Sequence, residues 1–118
     1  MRMIYRAVFH TNSHDLSVFS RGLSNVVNLL KAICGEHYDL VLLFNGPGVK
    51  LLCRQDCGDH TEVIQTLQQA RVSFKVCQNS LNMFGLTAEE LVAGCEIVPA
   101  GIVALIELQH NGYAYIKP

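Results

Sequence analysis

Tyr38-Asp39-Leu40-Val41-Leu42-Leu43-Phe44-Asn45-Gly46-Pro47-Gly48 is the stretch that decides how this chain folds. Beyond Asp39 five apolar residues follow one another with no polar face, the pattern of a strand covered on both sides. Asn45-Gly46-Pro47-Gly48 then ends the run abruptly with residues that turn a chain. A strand buried on both faces belongs inside a parallel sheet with helices above and below it.

The segments on either side supply the rest of such a sheet. Residues 3–10 are β-branched and aromatic in character and stop at Thr11-Asn12-Ser13-His14, which gives a first strand. From Asp15 the apolar residues Leu16, Phe19, Leu23, Val26, Val27, Leu30 and Ile33 recur at three- and four-residue spacing and share one helical face. Ser13 or Asp15 can cap that helix, and Gly35 can end it. Residues 49–53 are too short a run to type. Asp59 can cap a helix whose buried stripe is Val63, Ile64, Leu67 and Ala70. Residues 72–77 alternate as a strand and end on Cys77.

Residues 79–84 read as a short helix ended by Gly85, and Thr87-Ala88-Glu89-Glu90 has capping-box spacing for another that would end at Gly94. Residues 95–98 make a fourth strand. Pro99-Ala100-Gly101 leads into a helix carrying Ile102, Val103, Leu105 and Ile106, closed by Gly112, and residues 113–117 make a fifth strand. Strands and helices thus alternate from end to end. The expected fold is α/β: a three-layer α/β/α domain over residues 1–118 with a five-stranded, mainly parallel sheet, its strand order open.

Composition narrows the function. A chain of 118 residues is the size of one domain. Half its residues are apolar and only 16% are charged, so much of the surface is expected to be covered, by the chain's own layers or by a neighbouring subunit, and a homo-oligomer is expected. Nine Lys and Arg against ten Asp and Glu leave no electrostatic footprint for nucleic acid or anionic membrane. No apolar run approaches the ~20 residues that span a bilayer, and Met1 to Arg6 reads directly into a strand without a secretory signal pattern. The expectation is a cytoplasmic protein whose five cysteines are kept as thiols.

In an open parallel sheet ligands bind beyond the carboxyl ends of the strands, where helix amino termini present free N–H groups. The segments that fall there are His10-Thr11-Asn12, Asn45-Gly46-Pro47-Gly48, Cys77-Gln78-Asn79-Ser80 and Pro99-Ala100-Gly101. Of the cysteines Cys77 alone stands at a strand end directly before a helix, where its thiolate is favoured; the plain alternative is a small buried hydrophobe. Asn79, Ser80 and the amides of that turn can hydrogen-bond a thiolate, a persulfide or a bound anion. The amides of Gly46 and Gly48 with Asn45 and Lys50 can cradle an oxyanion, although the spacing fits neither a Walker loop nor a dinucleotide fingerprint. His10 can act there as a base or donor, or be satisfied by a backbone carbonyl. Cys53, Cys57 and His60 offer three soft ligands without a fourth, so no metal and no cofactor is expected. Cys34 and Cys95 read as buried packing residues. No hydrolytic triad can be assembled.

Ala7-Val8-Phe9-His10, Asn45-Gly46-Pro47-Gly48-Val49-Lys50-Leu51-Leu52, Phe74-Lys75-Val76-Cys77-Gln78-Asn79-Ser80-Leu81 and Gly112-Tyr113-Ala114-Tyr115-Ile116-Lys117-Pro118 together resemble the DsrE/DsrF-like family, in order and from the first strand to the last residue. The chain is most similar to the short, stand-alone branch of that family. The resemblance implies an α/β/α domain that assembles into trimers or hexamers. It also implies a sulfur-relay role, with Cys77 at the position of the cysteine that receives sulfane sulfur as a persulfide and passes it to an acceptor thiol. Sulfur donor and acceptor proteins would be its partners, and it would act as a sulfurtransferase or carrier. The alternative is a non-catalytic oligomeric module that binds a small anionic or nucleotide-like ligand through residues 45–50.

Overall fold

The computed structural model describes residues 3–118, so the reading of Met1 and Arg2 as leading into the first strand lies outside the described residues. The chain runs β1 (Ile4–Thr11), α1 (Leu16–Ala32), β2 (His37–Phe44), α2 (Thr61–Gln69), β3 (Ser73–Cys77), α3 (Gln78–Met83), β4 (Glu96–Val98), α4 (Gly101–His110) and β5 (Ala114–Ile116). The untyped residues after β2 belong to a 3₁₀ segment, Gly46–Leu52, that buries Val49, Leu51 and Leu52. All five strands are parallel, in the order β4-β3-β2-β1-β5.

That order follows from the handedness of the crossovers. Three steps lead outward from β1 to β4, and one long step returns from β4 to the far side of β1. Right-handed connections running in opposite directions put their helices on opposite faces. Ala7, Phe9, Leu40, Leu42, Phe44, Phe74 and Val76 accordingly face one large core with Phe19, Leu23 and Val26 of α1 and Ile64 and Leu67 of α2. Val8, Val41 and Leu43 face a smaller core closed by Leu105 of α4. The unbroken apolar run of β2 is explained by these two cores, because alternate residues go to each.

Phe44 joins the layers of the large core, edge-on to Phe19 at 5.8 Å between ring centroids and stacked on Phe74 at 6.2 Å. On the other face α4 is the covering helix. Leu105 is its buried apolar side chain, while Ile102, Val103 and Ile106 are 61%, 51% and 61% exposed. No helix among the described residues is long and apolar enough to cross a membrane.

Four sequence expectations need correction. The capping box at Thr87 forms, with the Thr87 N–H donating to Glu90 Oε2 at 2.7 Å, but only the 3₁₀ turn Ala88–Glu90 follows it. The cause is competition for backbone groups: Glu90 O accepts from Arg54 N at 2.9 Å, and Val92 N donates to Leu52 O at 2.8 Å, tying this segment to the 3₁₀ segment after β2. Asp59 does not cap α2, whose cap position is His60 in a preceding 3₁₀ turn, with its ring 5.0 Å from that of Phe19. Cys34 is exposed, in the turn that follows the end of α1 at Ala32. Cys95 is only partly buried, in the bend before β4.

Candidate functional site

β3 and β4 are neighbours, yet the helices that follow them leave toward opposite faces: α3 toward the large core, α4 toward the small one. Between two strands whose following connections part in this way a crevice opens at the carboxyl edge. Cys77 ends β3 at this edge, paired in register with Val98, the last residue of β4. Odd-numbered residues of β3 point to the α4 side, so the Cys77 side chain meets the start of α4. A β-carbon added to Gly101 would stand 3.2 Å from Cys77 Cβ and 3.1 Å from Asn45 Cβ. Glycine is what lets the α4 amino terminus come this close.

Donors surround the Cys77 sulfur. The Ser80 hydroxyl and the backbone amides of Gly101, Ser80 and Asn79 are the donors that favour its thiolate. Burial is the largest single influence and pushes the thiol upward. The four donors together outweigh it and hold the pKa below its usual value. Ser80 can donate because its oxygen is oriented from the other side, accepting the Gly46 N–H at 2.8 Å. Both are firmly placed: Cys77 is 5% exposed and Ser80 7%. The other cysteines differ. Burial pushes Cys95 up to about 12, and burial, followed by the charges of Asp56 and Glu90, raises Cys53.

A second polar group adjoins the first. His10 at the end of β1 makes two side-chain hydrogen bonds, Nδ1 with the Tyr115 hydroxyl at 2.6 Å and Nε2 with Asn45 Oδ1 at 2.7 Å. Burial, helped by the charge of Lys117, holds its pKa below the usual 6.5 despite the opposing hydrogen bond to Asn45. Tyr115, His10, Asn45 and Cys77 thus form a row over β5, β1, β2 and β3 on the α4 side of the carboxyl edge.

Comparison with known proteins gives this arrangement a context. The family model described as the DsrE/DsrF-like family matches residues 3–118. The chain belongs to the DsrE/DsrF-like family. The protein of unknown function MTH1491 from Methanobacterium thermoautotrophicum is similar in structure, with a TM-score of 0.88, 29% identity, and coverage of 97% of this chain and 99% of that one. The YchN protein of E. coli has the same fold, with a TM-score of 0.74 and 18% identity over the full length of both chains. No curated protein sequence matches the chain.

In this DsrE/DsrF-like chain the residues singled out from sequence divide into two groups. Cys77, Ser80, Asn45 and His10 come together, and Asn79 joins them through its backbone amide while its side chain is exposed. The loop after β2 is occupied internally: the Gly46 amide serves Ser80, the Gly48 amide serves Asn45 O at 3.1 Å, and Gly48 is a glycine because a β-carbon there would lie 2.5 Å from Thr11 O. Lys50 turns away and sets its ammonium 4.3 Å from the Phe84 ring centroid, in a cleft with Cys53, Arg54 and Glu90. Cys53 and Cys57 are buried, and among the described residues no group of three or more His, Cys, Asp or Glu is placed to hold a metal. Gly101, in a segment the sequence already placed at this edge, joins through its amide at the start of α4. Tyr115 escaped the sequence reading, because it reaches the site only where β5 returns beside β1.

Proposed function

We propose that this protein is a cytoplasmic sulfur-relay protein that carries sulfane sulfur on Cys77. The observation that supports it best is the set of one hydroxyl and three amides on the Cys77 sulfur, with a pKa below that of an ordinary thiol. The thiolate is the nucleophile for sulfur exchange, and a lowered pKa raises its share. Cys77 attacks the sulfane sulfur of a hydropersulfide RSSH; its S–S bond forms as the RS–S bond breaks, and RS⁻ leaves as thiol with the proton of the terminal SH. An acceptor thiolate then takes the outer sulfur and returns Cys77. Membership of the DsrE/DsrF-like family, which is associated with sulfur relay, supports the same reading.

Donor and acceptor proteins are its partners in this reading, and residues 1–118 act as one domain within a homo-oligomer, a trimer or hexamer. Self-assembly accounts for the apolar residues Ile102, Val103 and Ile106 that α4 leaves exposed beside the crevice. The test is a two-step transfer. Protein loaded with glutathione hydropersulfide and freed of excess donor should pass one sulfur atom to a thiol acceptor, and Cys77→Ser should pass none. Transfer that persists in Cys77→Ser contradicts the reading.

A further inference from the structure

Asn45 lies between the two halves of the site, and its amide is used on one side only. Oδ1 is engaged by His10 Nε2 at 2.7 Å, whereas no hydrogen bond among the described residues uses Asn45 Nδ2. An acceptor at Oδ1 requires the His10 proton to be on Nε2, and the neutral ring then accepts at Nδ1 from the Tyr115 hydroxyl at 2.6 Å. An amide is planar. With its oxygen held by His10 of β1, its NH₂ is left for another partner. Asn45 follows Phe44, which pairs with Val76, so its lateral neighbour on β3 is Cys77. A β-carbon on Gly101 would touch the β-carbons of both.

We propose that Asn45 Nδ2 is the donor for the outer sulfur of a Cys77 persulfide, and that His10, held by Tyr115, is the positioning residue that aims it. This rests on the sulfur-relay reading and adds how the carried atom is held. The Cys77 sulfur itself is already served by Ser80 and three amides. A persulfide extends the side chain by one S–S bond of about 2.05 Å and moves the negative charge to the outer atom. That atom needs a donor of its own. Asn45 supplies a neutral one, which stabilises the anion without the permanent ion pair a lysine would make, and so leaves it transferable.

The test compares wild type, Asn45→Ala, His10→Leu and His10→Gln, each loaded with glutathione hydropersulfide, freed of donor and then given the same concentration of a thiol acceptor. Intact mass reads the fraction still carrying sulfur against time; alkylation rate against pH reads the sulfur-free Cys77 thiol. Asn45→Ala and His10→Leu should lose the sulfur about tenfold faster or more, the usual effect of removing a hydrogen bond to a charged atom. His10→Gln should stay near wild type, because its amide nitrogen can stand where Nε2–H stood. The alkylation profile should be the same in all four. Equal retention in all four overturns this inference and leaves the relay reading intact, and so does faster loss accompanied by an equally altered alkylation profile. Failure of the wild type to take up sulfur overturns both.

Discussion

Gly101 stands against Cys77 with no room for a side chain: a β-carbon on Gly101 would lie 3.2 Å from Cys77 Cβ, and 3.1 Å from that of Asn45. Both neighbours are β-carbons at the carboxyl edge of the sheet, so neither can rotate away. Gly101→Ala should therefore lower stability by about 1 kcal/mol through overpacking, although alanine suits a helix better than glycine. Because α4 must shift, its amide withdraws from the Cys77 sulfur and the thiol pKa moves upward. Urea unfolding and the pH dependence of Cys77 alkylation measure the two effects.

Ser80 links the loop after β2 to the reactive cysteine, accepting from Gly46 N at 2.8 Å while its hydroxyl favours the Cys77 thiolate. Ser80→Ala removes a donor to the thiolate, so the Cys77 pKa should rise. Alkylation near neutral pH should slow several-fold, while rates well above the pKa converge with wild type.

Gly48 packs on the end of β1, where an added β-carbon would meet Thr11 O at 2.5 Å. Backbone cannot give way there as a flexible side chain would. Gly48→Ala should cost about 2 kcal/mol or more, read as a lower midpoint in thermal or urea unfolding. Gly58→Ala, where a β-carbon meets nothing within 4 Å, is the control.

His10 gives stability a pH dependence of known sign. Its folded pKa lies below the usual 6.5, mainly through burial, with the charge of Lys117 acting in the same direction. As pH falls below 6.5 the unfolded chain takes up the proton before the folded one, so stability is lost through that interval and regained as pH rises. Urea unfolding between pH 5 and 7 should show this slope in wild type and a flatter one in His10→Gln. An equal slope in both would contradict the assignment of a neutral, buried His10.

Much of this architecture was legible in the order of residues. The apolar run before Asn45 reads as a central strand because its alternate residues serve two cores, and Cys77 is marked by its place between a strand and a helix. Strand order is different, since it depends on which way each crossover turns. For that reason Tyr115, brought in by the one connection that crosses the opposite face, carried no local signal, whereas Gly101 was marked by its place between a strand and a helix. Lys50 had the reverse fate: its spacing after Gly48 suits an anion cradle, but the 3₁₀ path of Gly46–Leu52 turns it onto Phe84. The turn at Ala88–Glu90 failed as a helix for a related reason, because partners distant in sequence claimed its backbone groups.

The exposed apolar face of α4 sets an expectation for assembly. Ile102→Glu with Ile106→Glu should reduce the particle mass measured by light scattering after size exclusion, because charge is placed where a second copy would bury Ile. Wild type running at the mass of a single chain would contradict self-assembly through this face.

The most direct measurement maps added sulfur across all five cysteines. Reduced protein is treated with limiting glutathione hydropersulfide, trapped by alkylation and read peptide by peptide. The sulfur should be found chiefly at Cys77, despite its low exposure, with little at buried Cys53 and Cys57 and partly buried Cys95, and less at exposed Cys34 than exposure alone would give. Sulfur distributed by exposure, with Cys34 leading and Cys77 unmodified, would contradict a relay centred on Cys77.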